Sequence, residues 1–320
     1  APYLMLFFLG LRIGMRFFTL LGISAAIFLI VQVLPGDAVD AMLEGWVEES
    51  GGAYDILRAK LGLDRPLHEQ YFTWLWNIMQ GDLGRSLAMD APIAPILLER
   101  LGYSLRLAIP ALFIAVTLSL ILGVIAAMRP NGWIDHTITV VTLTGVSVPA
   151  FVSGSLFIVI FASWLQWFPS TSSLTEGEGF FHWAYVLAMP IAVLAIEALA
   201  HLVRITRSSM IEVLKSPYVR TAKLKGLAKW RVVYVHALRN AMLPTVTVIA
   251  FNIGWMLGGV VLVEQVFSYP GLGSLVLYSI EQRDIPLLQA SMFFVAAGYC
   301  FANLLADICY ALLDPRIRYT

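Results

Sequence analysis

The chain of 320 residues is 59% hydrophobic and only 13% charged, and its formal net charge is zero. Soluble domains carry roughly a quarter charged residues, so this much apolar surface excludes a soluble globule, and the balanced charge gives no reason to expect nucleic acid as a partner. Cys300 and Cys309 are the only cysteines and share one apolar segment, which leaves no disulfide framework or cysteine metal cluster.

A helix needs about 20 apolar residues to cross a hydrocarbon core of ~30 Å. Six runs reach that length, at about 11–34, 104–128, 138–163, 184–205, 244–266 and 290–312. The expected fold is therefore all-α, a polytopic membrane protein with six transmembrane helices in one domain and the lipid bilayer as its solvent. Arg12 and Arg16 precede the first run as in a secretory signal, but that run is too long for a signal core and reads as the first span. Pro110, Pro149, Pro190 and Pro244 fall inside or at the start of spans, where kinks are expected and tolerated.

Between the first two spans lies a long segment, 35–103, with helical patterns at Tyr54–Leu61 and Leu67–Met79. In the second, Tyr71, Leu75, Ile78 and Met79 recur at helical spacing, with Trp74 and Trp76 beside them. That pattern suits an aromatic belt on the membrane surface, or a cap on the external mouth that meets a partner.

The third span carries Ser147, Pro149 and Ser153, small or helix-breaking residues that suit either a solute pathway or close helix packing. The fourth carries Glu197, His201 and Arg204 on one stripe. Ionisable groups at membrane depth raise a functional hypothesis. The stripe can line a solute cavity or gate it, or it is a local pair whose side chains snorkel to the interface. Glu264 and Asp307, nearer the ends of the last two spans, read as structural pairs or as interface-exposed acids.

Orientation follows from Lys and Arg near the span ends. Arg204 to Arg239 holds nine basic residues against one acid, Glu212, whereas the loop between spans three and four has Glu176 and Glu178 and no Lys or Arg. The segment 204–243 is then cytoplasmic. Both termini follow it, in agreement with Arg12, Arg16, Arg316 and Arg318.

Within that loop, Ser216 is a good N-cap and Pro217 a good first helical residue. A short helix is expected through Tyr218, Ala222 and Leu224, ended by a left-handed Gly226. A second should start at Lys229, with Trp230, Val233, Tyr234, Ala237 and Leu238 as its apolar face and Lys229, Arg231, His236 and Arg239 outside it, before Leu243-Pro244 leads into span five. Such a loop can dock on a cytoplasmic partner, or serve only to fix topology.

No phosphate loop, H-E-x-x-H pattern, G-x-S-x-G elbow or strand-linked G-x-G-x-x-G occurs in the sequence. The histidines at 68, 136, 182, 201 and 236 are dispersed. Neither a catalytic residue nor a metal site is expected, and the chain is not expected to bind a cofactor itself.

The run from Tyr218 to Gly226, followed by Asn240-Ala241-Met242-Leu243-Pro244, resembles the cytoplasmic coupling motif of ATP-binding-cassette importer permeases. More narrowly, the chain resembles the first, B-type, permease subunit of the dipeptide and oligopeptide importers. Other strings fit in order: Leu34-Pro35-Gly36-Asp37, Leu61-Gly62-Leu63-Asp64-Arg65-Pro66, Gly81-Asp82-Leu83-Gly84-Arg85-Ser86, Ser147-Val148-Pro149-Ala150-Phe151, Phe267-Ser268-Tyr269-Pro270-Gly271-Leu272-Gly273, and Ala311 to Arg318. The general motif opens Glu-Ala-Ala where this chain has Arg220-Thr221-Ala222, and the interval to Pro244 is longer; both departures fit the peptide branch.

The resemblance implies a type I ABC importer permease fold in a bacterial cytoplasmic membrane. It also implies a second homologous permease, two cytoplasmic ATP-binding subunits that carry ATP and Mg, and an external solute-binding protein. Tyr218, Arg220, Thr221, Ala222, Lys223 and Gly226 would contact the ATPase. Short peptides are the implied cargo, although similar permeases move nickel complexes and sugars. Rival readings are an ATP-independent secondary transporter or channel, which would need ion-coupling residues or matching broken helices, and an intramembrane enzyme using Glu197 and His201.

Overall fold

The computed structural model describes residues 2–33, 64–173 and 179–313. Helix dominates, as expected. In chain order come α1 (Pro2–Val33), α2 (Leu67–Met79), a two-residue antiparallel pair β1 (Arg85–Ser86) and β2 (Ala91–Pro92), α3 (Ile93–Met128), α4 (Trp133–Ser147) and α5 (Ala150–Phe157), the last extended by a π-helical stretch at Ile158–Trp164. Then follow α6 (Phe180–Leu214), α7 (Pro217–Leu224), α8 (Lys229–Arg231) with a π-helical turn at Val232–Ala237, α9 (Leu238–Val266), α10 (Leu272–Glu281) and α11 (Ile285–Leu313).

Among the described residues, five helical stretches are long and apolar enough to cross a membrane: Gly10–Gln32, Ile93–Met128, Phe180–Leu214, Lys229–Ile249 and Ile285–Leu305. The α4 and α5 pair makes a sixth if counted as one span, but it departs from the continuous helix expected over 138–163. The two halves meet at 98°. Proline explains the break, because its ring disfavours the helical region for the residue before it, and Val148 is extended at φ −91°, ψ 122°. Pro110, Pro190 and Pro244, by contrast, lie within helices that continue past them. The expected helix at Tyr54–Leu61, the acids Glu176 and Glu178, and Arg316 and Arg318 lie outside the described residues.

Contacts gather into two compact units. One is built chiefly on Leu105–Tyr269, the other on Ile13–Ser104 with Pro270–Cys300. In the first, Val124 and Ala127 of α3, Met210 of α6, Val219 and Ala222 of α7, Val232, Val233 and Ala237 of the π turn and Ala241 of α9 form one buried cluster. Helices α3 and α6 meet through Gly123, where a Cβ would lie 2.7 Å from Thr206 Cβ; small residues permit such close backbone approach in membranes. Arg12 pairs with Asp307 at 3.2 Å in the same unit, the structural pairing expected of that acid.

In the second unit, Ile93 and Leu97 pack with Leu272, Leu275, Leu287 and Ala290. Ser104 Oγ accepts the backbone N–H of Leu272 at 2.8 Å, and Arg100 donates to the Pro270 carbonyl at 3.0 Å. Helix α2 matches its expected bounds, and Tyr71, Leu75 and Ile78 of the expected face are half-buried together with Trp74. Tyr71 and Trp74 turn inward, their rings 5.5 and 6.2 Å from Phe28, and Tyr71 shares a hydrogen bond with Ser24. Trp76 and Met79 stay exposed.

Candidate functional site

Two regions collect the residues singled out in the sequence. The first is the segment 204–243. Helix α7 has the expected bounds, with Pro217 at its first position. Ser216 takes the extended backbone of an N-cap (φ −64°, ψ 150°), but its side chain does not cap α7. Its Oγ donates backward to the Val213 carbonyl at 2.6 Å, satisfying the end of α6 instead.

At the other end, Gly226 is left-handed at φ +75°. Its N–H donates to Lys223 O at 3.0 Å, and that of Leu227 to Ala222 O at 3.4 Å. These two bonds make a Schellman motif, and Leu227 packs against the cluster that holds Ala222.

The short helix therefore has two faces. Val219 is fully buried and Ala222 is 8% exposed, so Ala222 anchors the helix to the spans and does not present itself outward. Tyr218, Arg220, Thr221, Lys223 and Leu224 are exposed. Thr221 Oγ1 donates to the Pro217 carbonyl at 3.0 Å, and the Tyr218 hydroxyl accepts from Asn240 Nδ2 at 2.8 Å, tying α7 to α9.

After Gly226 the expected second helix starts at Lys229 and runs through the π turn without a break into α9. Its apolar face is consequently displaced. Val232, Val233 and Ala237 are buried, while Trp230 and Tyr234, expected on that face, are exposed. A π turn carries an extra residue per turn and rotates the register. The Arg231 guanidinium lies 5.6 Å from the Trp230 ring centroid.

The second region surrounds the break between α4 and α5. Ser147 and Pro149 are exposed and Ser153 is half-buried; Ser147 Oγ donates to Leu143 O at 2.7 Å. The last turn of α4 lies against α6, where a Cβ on Gly145 would sit 2.9 Å from Ile196 Cγ2.

Glu197 is half-buried, and its Oε2 has no hydrogen-bond partner. Arg204 Nη2 lies 3.3 Å from His201 Nδ1. The expected stripe thus joins Arg204 to His201, while Glu197 Oε2 stays unpartnered. Around the stripe, Ala195, Ala198, Ala200, Leu202 and Val203 are buried, whereas His201, Arg204 and Ser208 open outward.

Sequence reasoning missed one contact that organises this unit. Asp135, 2% exposed at the start of α4, is gripped by Arg207 of α6. Arg207 had been counted only as a topology charge, and no local signal links residues 72 apart. Asn240 was noted within a motif, without its bond to Tyr218. Among the described residues no group of three His, Cys, Asp or Glu side chains is placed to hold a metal.

Comparison with known proteins gives a consistent grouping. The family model described as binding-protein-dependent transport system inner membrane component matches residues 119–319, and its N-terminal companion matches residues 5–110. A Brucella suis biovar 1 protein whose name places it among peptide permeases is 40% identical over 94% of this chain and 95% of its own length. The di/tripeptide transport system permease protein DppB of Pseudomonas aeruginosa is 37% identical over 98% of this chain and 99% of its own. In fold, the chain is similar to a solved amino acid ABC transporter with histidines, at a TM-score of 0.50 and 16% identity, over 69% of this chain and 94% of that one.

Proposed function

We propose that this chain, which belongs to the family of inner membrane components of binding-protein-dependent transport systems, is the peptide-translocating permease of an ATP-driven importer. Relatives named for peptide and di/tripeptide transport at 37–40% identity support that cargo. The chain pairs with a second, homologous permease. Two cytoplasmic subunits bind ATP and Mg and hydrolyse the nucleotide, and an external binding protein delivers the peptide. Both termini and the 204–243 segment face the cytoplasm.

The two-faced helix α7 is the observation that carries this reading. Its outward residues Arg220, Thr221, Lys223 and Leu224 are free to enter a groove on an ATPase. Its inward residues Val219 and Ala222 sit in one cluster with α3, α6 and α9, so a displacement of α7 is passed to three spans as a rigid-body push. A closely packed core transmits strain and does not absorb it. Closure of the ATPases then reorients the cavity of the permease pair.

The charged opening on α6 supports a pathway next to the break at Pro149. A charged stripe facing lipid is costly, and Glu197, His201 and Arg204 avoid that cost if they face water or the second permease.

Composition of the complex tests the reading. Gentle extraction of the tagged chain from its native membrane, followed by intact mass measurement, is expected to yield a second permease and two ATPase subunits. Recovery of this chain alone, or as a homo-oligomer, refutes the importer assignment.

A further inference from the structure

In the unit that holds residues 13–104 and 270–300, the end of α1, helix α2, the turn around Asp82–Leu87 and the start of α11 line an open-sided cavity of about 260 Å³. Its polar lining includes Gln32, Arg65, Gln70, Asn77, Asp82 and Gln289, and Phe28 and Trp74 supply an apolar wall.

Gln289 sets this cavity apart from a surface crevice. It is only 7% exposed, it lines the cavity, and its amide makes no hydrogen bond among the described residues. Its amide is therefore available to a group that enters the cavity. Of the other amides, Gln70 Nε2 donates to Arg65 O at 2.8 Å and Gln32 Nε2 to Gln70 Oε1 at 3.3 Å, whereas Asn77 presents a second amide on the lining. Asp82 Oδ1 accepts the N–H of Gly84 at 2.9 Å, which leaves its second oxygen for a cation.

The lining thus offers one guanidinium, one carboxylate, and the amides of Gln289 and Asn77, beside two apolar rings. An amide both donates and accepts, as a peptide bond does, a guanidinium matches a carboxylate, and a carboxylate matches an ammonium. We propose that this cavity is an entry site for a short zwitterionic peptide. The peptide carboxylate meets Arg65, its backbone amide pairs with Gln289, its ammonium meets Asp82, and a side chain rests on Phe28 and Trp74. The proposal rests on the peptide-permease reading and adds a second place where cargo is recognised. A zwitterionic lipid headgroup shares part of this chemistry but has no peptide bond for Gln289.

The test uses the complete transporter in phosphatidylcholine nanodiscs and a tripeptide bearing a photoreactive diazirine, with cross-links mapped by mass spectrometry. Labelling is expected on α2 and the first turns of α11. Unlabelled tripeptide should compete, and its C-terminally amidated form should compete about tenfold less well, the loss of one charge-assisted hydrogen bond. Gln289→Leu and Arg65→Gln should each reduce labelling by a similar factor, with unchanged melting curves showing that the fold survives.

Uptake driven by the binding protein is measured in parallel. Normal peptide uptake with labelling elsewhere, or with equal competition by the amidated peptide or by added phosphatidylethanolamine, overturns the entry site and leaves the permease function standing. A complex that takes up no peptide overturns both.

Discussion

Arg207 on α6 holds Asp135 at the start of α4 through two parallel hydrogen bonds, Nε to Oδ1 at 2.5 Å and Nη2 to Oδ2 at 2.6 Å. Asn131 adds its backbone N–H to Oδ2 at 2.8 Å. The Asp135 side chain is 2% exposed and that of Arg207 26%. Removing one partner strands the other, so Asp135→Ala should destabilise by about 3 kcal/mol, toward the low end for a buried pair because the arginine keeps some water. Lysine cannot reproduce the fork, so Arg207→Lys should also lower the apparent melting temperature of the purified complex. The double variant Asp135→Ala, Arg207→Leu should melt above either single one. Singles that melt like the parent would show the pair to be dispensable.

Gly226 closes α7 in a left-handed conformation with open space around its α-carbon. Any penalty for a side chain there is conformational and not steric. Gly226→Val should cost about 1–2 kcal/mol locally, enough to loosen the end of α7 while leaving membrane insertion intact. The expected outcome is normal expression, retained subunit assembly and peptide uptake that falls several-fold relative to ATP hydrolysis. Uptake at the parental ratio to hydrolysis would count against α7 as the coupling element.

Arg220 and Ala222 are two residues apart on the same short helix and should fail differently. Ala222→Leu forces extra volume into the cluster with Val124 and Met210, at about 1–3 kcal/mol, and should lower the melting temperature. Arg220→Glu touches no core residue and should leave melting unchanged, yet release the ATPase subunits during purification. Identical defects in both would contradict the two-faced arrangement.

Asp284 is 1% exposed and accepts three bonds: from Ser86 Oγ at 2.5 Å, Ala88 N at 3.1 Å and Leu287 N at 3.1 Å. It caps α11 and fastens the β1–β2 turn to it. Asp284→Ala leaves buried donors unpaired, at about 1–3 kcal/mol each, whereas Asp284→Asn keeps an acceptor. Limited proteolysis should cut the 84–92 turn faster in Asp284→Ala than in Asp284→Asn, and equal rates would remove Asp284 from that role.

The number and order of spans were legible because a bilayer demands about 20 consecutive apolar residues per crossing, a property of the linear chain. Helix α7 was equally legible. Pro217 and Gly226 are backbone signals that act on neighbouring residues only, and both bounds follow from them. The break at Pro149 was half visible: the proline marks a boundary, but it could not be told from the prolines at 110, 190 and 244, whose helices continue.

Faces were harder to read. Trp230 and Tyr234 were expected inside and lie outside because the π turn at Val232–Ala237 shifts the register by a fraction of a turn, and nothing in the composition of Val-Val-Tyr-Val-His-Ala announces it. Ser216 has the residue type and backbone of a cap, yet its hydroxyl serves the previous helix, since a donor takes whichever carbonyl lies closer.

The linear sequence thus determined what local and one-dimensional physics can determine: the spans, the bounds of the short helix and the motifs that carry the family resemblance. Which residues meet was decided in three dimensions. Asp135 and Arg207, Tyr218 and Asn240, and Ser86 and Asp284 are paired across 72, 22 and 198 positions. No periodicity encodes such partnerships, because each depends on how whole helices pack before any of these side chains is within reach.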